Sequence, residues 1–170
     1  KLNNEKEISV EEGKTLRDLI KENNLKEKYP IVLGILNDKI YEMNSKIDKD
    51  GKLILVDIGT NMGMRTYVRT LQFVLIKAVY DIFPEAKVSI EHSLSKGLYC
   101  EIDRKNKELT EDELILIKNK MKDIIQRNIP IEKVSVSKEQ AIEIFEKYRM
   151  KDKVRLLKSI DLKDIKIGRA

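Results

Sequence analysis

Tryptophan is absent from this 170-residue chain, and aromatic residues make up only 5% of it. Its core must therefore be built from Ile, Leu and Val. A single cysteine, Cys100, excludes an internal disulfide and points to a reducing compartment. One Cys and one His, His92, leave too few soft ligands for a zinc centre of the usual kind. No apolar run approaches the ~18 residues of a membrane-spanning helix. No secretory leader is visible, so the expected setting is cytoplasmic, with no membrane partner; the missing initiator Met suggests a trimmed chain. Phosphate-cradling motifs are missing as well. Gly13-Lys14-Thr15 mimics the end of a P-loop, but the required earlier glycine position holds Ile8. Nothing here makes the chain an ATPase or kinase by itself.

What is present is a dense charged surface over an aliphatic core, with 37% charged and 41% hydrophobic residues. Net charge is +5 and unevenly spread. Residues 1–60 hold 11 Lys/Arg against 12 Asp/Glu, whereas residues 61–170 hold 23 against 17. The second part could attract an anion such as RNA or a nucleotide, or could simply present a solvated Lys/Glu-rich surface.

The first sixty residues read as strand, helix, strand, strand, strand. A strand is expected over Lys6–Val10, then a helix capped by Thr15 with Asp18 in its first turn. Strands are expected over Ile31–Leu36, Lys39–Met43 and Leu53–Val56, with turns at Asn37-Asp38 and Asp48–Gly51. Ile58–Met64, with two Gly and an Asn, reads as a linker. A long helix follows from about Thr66 to Ile82, ended by Phe83-Pro84. Lys87–Glu91 and Leu98–Asp103 form a hairpin. Thr110/Glu113 and Ser137/Gln140 are capping-box pairs that open two further helices. A short strand is expected around Val134 and Val136, and another over Val154–Ile160.

Two resemblances emerge from these words. VEEGKTLRDLI, VLGILNDKIYEMNSKI and DGKLILVD resemble the TGS domain, a β-grasp (ubiquitin-like) fold, over residues 1–60. RTYVRTLQFVLIKAVYDIFPEAKVSIEHSLSKGLYCEID, with TEDELILIKNKMKDIIQRNIPIEKVSVSKEQAIEIF and KDKVRLLKSI, resembles the editing domain of threonyl-tRNA synthetase over residues 65–170, cut short at its C-terminal end. The implied fold class is α+β: a β-grasp domain, then an α+β editing-like domain with antiparallel sheet and helices. In the synthetase family the first helix of the editing domain carries His-x-x-x-His. The matching positions here are Arg69 and Phe73, and the family's remaining ligands fall beyond this chain. The resemblance therefore implies no metal and no cofactor in this chain.

The pairing of YVRTL with EHSLSKGLYCEI also resembles bacterial uridine kinase-like proteins, in which these two domains precede a P-loop kinase domain. That resemblance implies a non-catalytic regulatory or ligand-binding region, with ATP and magnesium used by the downstream kinase domain. The alternative is a divergent, zinc-independent aminoacyl-tRNA deacylase with His92 as its base. In the parent fold the helix start and the hairpin face the substrate cleft. The candidate ligand-binding residues are accordingly Arg69, His92, Ser93, Lys96, Tyr99 and Cys100, suited to tRNA or a small anion. A Cys100–His92 nucleophilic pair is the weaker reading, since no third orienting residue stands out. An exposed apolar patch on the long helix would instead favour a dimerisation role.

Overall fold

The computed structural model describes residues 7–94, 97–105 and 107–170, with the side chains of 92–94 outside that description. The described residues are mixed α+β, with antiparallel sheets and five helices. It divides into two compact units, residues 1–71 and 72–170.

In the first unit, α1 (Leu16–Glu22) precedes three strands, β1 (Ile31–Leu36), β2 (Lys39–Glu42) and β3 (Leu53–Asp57). The sheet order is β2-β1-β3, antiparallel throughout. Thr15 opens α1 through a reciprocal cap. The Asp18 amide donates to the Thr15 hydroxyl at 3.2 Å, and the Thr15 amide donates to the Asp18 carboxylate at 3.0 Å. Leu36 pairs with Lys39 across a two-residue turn, Asn37-Asp38, whose φ values of 47° and 64° match the twist of a tight hairpin. The Asn37 side chain also donates to the Asp50 carbonyl at 2.8 Å and accepts from the Lys52 amide at 3.1 Å. One turn thereby fastens the next. Leu16, fully buried, packs with Leu36 and Tyr41 as the core, flanked by Ile20, Met43, Ile47, Leu53 and Leu55. Gly34 permits that packing, because a Cβ there would stand 2.9 Å from a Leu53 methyl.

The strand expected over Lys6–Val10 is not formed. Glu7–Val10 have neither strand nor helix structure, and Lys6 lies outside the described residues. Alternation in EISV is only a tendency; a strand exists where its amides and carbonyls find a partner.

α2 (Asn61–Ile82) starts five residues earlier than the sequence suggests and absorbs part of the expected linker. Its start has a local cause. The Thr60 hydroxyl donates to the Asp57 carbonyl at 2.8 Å and accepts from the Gly63 amide at 3.0 Å, which is an N-cap. Gly63 reads as a helix breaker, yet a Cβ there would lie 1.9 Å from the Asp57 carbonyl oxygen. Close approach to β3, not flexibility, selects glycine. Asp57 itself is buried and satisfied, its carboxylate accepting from the Tyr29 and Gly59 amides.

The second unit takes the rest of α2, then β4 (Lys87–Leu94), β5 (Gly97–Asp103), α3 (Glu111–Gln126), β6 (Glu132–Ser137), α4 (Lys138–Lys147), α5 (Lys151–Ser159) and β7 (Asp164–Arg169). β4 and β5 form one antiparallel pair, β6 and β7 another. The core joins Val74, Ala78 and Val79 of α2 to Ala86 and to Ile117 and Ile124 of α3, with Val88 and Ile102 of the first pair packed against them. Both expected capping boxes, Thr110/Glu113 and Ser137/Gln140, are present. Arg104 fastens the end of β5 to α3. Its guanidinium donates to both Glu113 oxygens, at 2.5 and 2.8 Å, and lies 4.6 Å from the centre of the Phe83 ring.

Of Val154–Ile160, expected as a strand, Val154–Ser159 lies in the helix α5 instead, and Ile160 follows its end. Val154 and Leu157 are buried three positions apart, while Leu156, which alternation would place beside Val154, is 53% exposed. The spacing that buries apolar surface here is helical. The strand that pairs with β6 comes later, as β7, where Ile165 and Ile167 face Val136 and Val134.

Candidate functional site

The sequence points to α2 and the β4–β5 hairpin. Arg69 sits on α2 in the first unit and is exposed; Arg65, one turn earlier, is exposed on the same face. Neither has an ion-pair partner among the described residues. The i, i+4 spacing of the two arginines is legible in the sequence, although the expected site includes only Arg69. Tyr99 and Cys100 belong to β5, in the second unit, and the candidate set is thus distributed over the two units.

The hairpin geometry alters the reading of its own residues. Ser93 pairs with Leu98 and Leu94 with Gly97, so the connection is Ser95-Lys96, and the candidate Lys96 lies outside the described residues. His92 and Ser93 are placed in β4 by backbone alone. Between Ile90 and Ser93 the register shifts, and Cys100 stands opposite Ile90. A same-face argument for His92 and Cys100 rests on unbroken alternation, which the irregularity interrupts.

Tyr99 is 48% exposed. Cys100 is half-buried, and burial pushes its thiol above the ordinary range. Among the described residues its polar contact is a weak donation to the Leu98 carbonyl at 3.8 Å. A nucleophilic cysteine needs the opposite, a nearby cation or helix N-terminus that stabilises the thiolate. The described surroundings of Cys100 suit packing.

Phe73 also has a packing role. A Cβ on Gly168 of β7 would lie 2.9 Å from the Phe73 ring, so the ring covers that strand where only glycine fits. Among the described residues, no three His, Cys, Asp or Glu side chains converge to hold a metal ion. No helix among them is long and apolar enough to cross a membrane.

A second cationic feature is hidden in the sequence, where Val154–Ile160 reads as a strand. Lys151, Arg155 and Lys158 lie at i, i+4 and i+7 on α5 and line one cavity of about 430 Å³, together with Glu146, Arg149 and Val154. Helical spacing is the only thing that brings these three together.

No protein-family model matches the chain. Known proteins do resemble it. It is 29% identical over 159 residues to a threonine–tRNA ligase of Clostridium kluyveri, covering 94% of this chain and 25% of that protein. It is 31% identical over 147 residues to that of Thermotoga maritima, covering 85% and 22%. With the enzyme of Aquifex aeolicus it shares 26% over 162 residues, covering 94% and 25%. The chain spans about a quarter of the length of the curated relatives it matches. These relatives lend no support to a TGS-plus-kinase setting, nor to the ATP and magnesium that setting implies. What they support, over nearly the whole chain, is a region of threonyl-tRNA-synthetase type.

Proposed function

We propose that this chain is the aminoacyl-tRNA-engaging, editing-type region of a threonine–tRNA-ligase-like protein. The observation that carries the reading is similarity to threonine–tRNA ligases across 94% of the chain. The charge distribution agrees with it. The second unit holds 21 Lys/Arg against 17 Asp/Glu, and Arg65 and Arg69 stand exposed on α2. Phosphodiester groups take guanidinium donors two at a time, which makes exposed arginines suitable RNA contacts.

The chemistry of this reading is hydrolysis of an ester. Water attacks the carbonyl carbon linking amino acid and ribose, loses a proton to a base, and the ribose oxygen leaves with a proton. With the helix positions occupied by Arg69 and Phe73, the base in this proposal is His92, the one imidazole in the sequence. In this proposal Ser93, Lys96 and Tyr99 serve substrate binding in the second unit, and Arg69 is an RNA contact of the first.

Two assays test it. Titration with bulk tRNA at two salt concentrations should give binding that weakens steeply with salt. Incubation with a mischarged threonine-accepting tRNA should release free amino acid, and His92→Ala should slow that release by about 10²-fold or more. Absence of tRNA binding above the non-specific level removes the proposal. Binding without deacylation, or deacylation untouched by His92→Ala, removes its catalytic part and leaves a binding region.

A further inference from the structure

The cavity beside α5 has no place in the chemistry above. Its lining comes from one stretch, Glu146 to Lys158, and so lies wholly within the second unit. α4 ends at Lys147, Arg149 turns the chain with a left-handed backbone (φ 55°), and α5 returns against α4. Buried Val154 and Leu157 hold α5 in place, which fixes where the neighbouring stripe points. That stripe is Lys151, Arg155 and Lys158.

Charge at the cavity is one-sided. Four cations, Arg149, Lys151, Arg155 and Lys158, face a single carboxylate, Glu146. Glu146 lies 3.8 Å from Lys158, and Arg149 pairs with Glu85. Lys151 and Arg155 have no ion-pair partner among the described residues. Between the charged tips the wall is mainly hydrocarbon, from Val154 and the stems of the long side chains. A sulfate-sized ion needs no such wall. An apolar floor rimmed by cations suits a phosphate attached to a flat ring, with the ring on the hydrocarbon and the phosphate on the guanidinium fork of Arg155.

We propose that the α4–α5 cavity binds a nucleotide unit through its phosphate, with Arg155 as the central contact and Lys151 and Lys158 flanking it. The unit is either one residue of an RNA chain or a free mononucleotide. The RNA source rests on the function proposed above; the mononucleotide source does not.

The test uses the whole chain and a variant carrying Lys151→Ala, Arg155→Ala and Lys158→Ala. All three side chains are exposed, and Val154 and Leu157 stay in place, so the fold is kept. A variant with Lys107→Ala, Lys118→Ala and Lys122→Ala, equally exposed, removes the same charge elsewhere. Bulk tRNA and adenosine monophosphate are the probes. If RNA is the ligand, the cavity variant binds tRNA about tenfold more weakly at low salt, and the slope of its salt dependence falls by roughly one for each phosphate no longer neutralised. The charge-matched variant changes much less. If a free nucleotide is the ligand, adenosine monophosphate shifts the amide signals of α5 in the parent chain and not in the cavity variant. Equal tRNA affinity for the two variants, together with no nucleotide-induced shift in α5, overturns the proposal. Failure of the parent chain to bind tRNA at all counts against the general function, while the nucleotide arm still decides the cavity.

Discussion

The two units of this protein stabilise their strands by different means. In the first, three strands form one antiparallel sheet, and one short helix closes the core around Leu16, Leu36 and Tyr41. In the second, the strands among the described residues come in pairs. A two-stranded pair is marginal in water, so each needs helices to cover it. β4–β5 depends on α2 and α3 through Val88 and Ile102, and on the Arg104–Glu113 clamp. β6–β7 packs against α4, and Phe73 covers Gly168. Main-chain pairing carries much of the first unit, whereas side-chain packing on helices carries the second. The exposed cations follow the same division: helices offer long outer faces, and the second unit has more of them.

The largest expected effect comes from breaking one core and reading both units. Leu16→Ala empties the centre of the first core and should cost about 2–5 kcal/mol. Segment-resolved hydrogen exchange should show amides of β1–β3 losing protection while those of α3 keep it. Equal loss in both units would end the claim that they are separate cores.

A smaller effect, of opposite sign to helix propensity, is expected at the start of α2. Alanine is normally the better helix former by about 1 kcal/mol. At Gly63 its Cβ would press on the Asp57 carbonyl, a backbone atom that cannot swing aside. Gly63→Ala should therefore destabilise the first unit, by about 1–3 kcal/mol. Urea denaturation measures this, and a gain in stability would show that the approach of α2 to β3 is not tight.

The smallest effect is set by pH. Hydrogen bonds from Thr15 lower the Asp18 carboxyl below the ordinary range, and Arg104, then Thr110, do the same for Glu113. A depressed carboxyl contributes stability that is fully present above its unfolded value and is lost as pH falls through its folded value. Both units should thus weaken on acidification from the ordinary carboxylate range downward. Asp18→Asn should flatten that acid limb for the first unit only, and Glu113→Gln for the second only. Thermal melts with unit-specific probes across the acid range measure it. A variant that flattens both limbs would show that the units titrate as one.

Much of the fold is legible in the chain because much of it is local. Two capping boxes, the Thr15 cap and the Asn37-Asp38 turn depend on residues within four positions of each other, and the structure contains each of them. Gly63 misleads because its reason, the Asp57 carbonyl, lies six residues back and across a turn. Val154–Ile160 misleads because a short run rich in Val, Leu and Ile suits a strand as well as a helix. Only the burial of Val154 and Leu157, with Leu156 left outside, distinguishes the two. The candidate site divides in the same way. Arg69 and its turn neighbour Arg65 can be picked out by helical spacing. The Lys151–Arg155–Lys158 stripe cannot, since a strand over Val154–Ile160 would send Arg155 and Lys158 to opposite faces and leave Lys151 outside it.

By itself the sequence determined the α+β class, the aliphatic core, the caps and turns, and the excess of positive charge after residue 60. These follow from composition and from interactions between near neighbours. The tertiary structure alone decided that α2 begins at Asn61, that α5 is a helix with β7 beyond it, that Phe73 is spent on covering Gly168, and that four cations gather around one cavity. Each of those depends on which distant surface is available to bury a side chain or accept a hydrogen bond, and no local pattern contains that information.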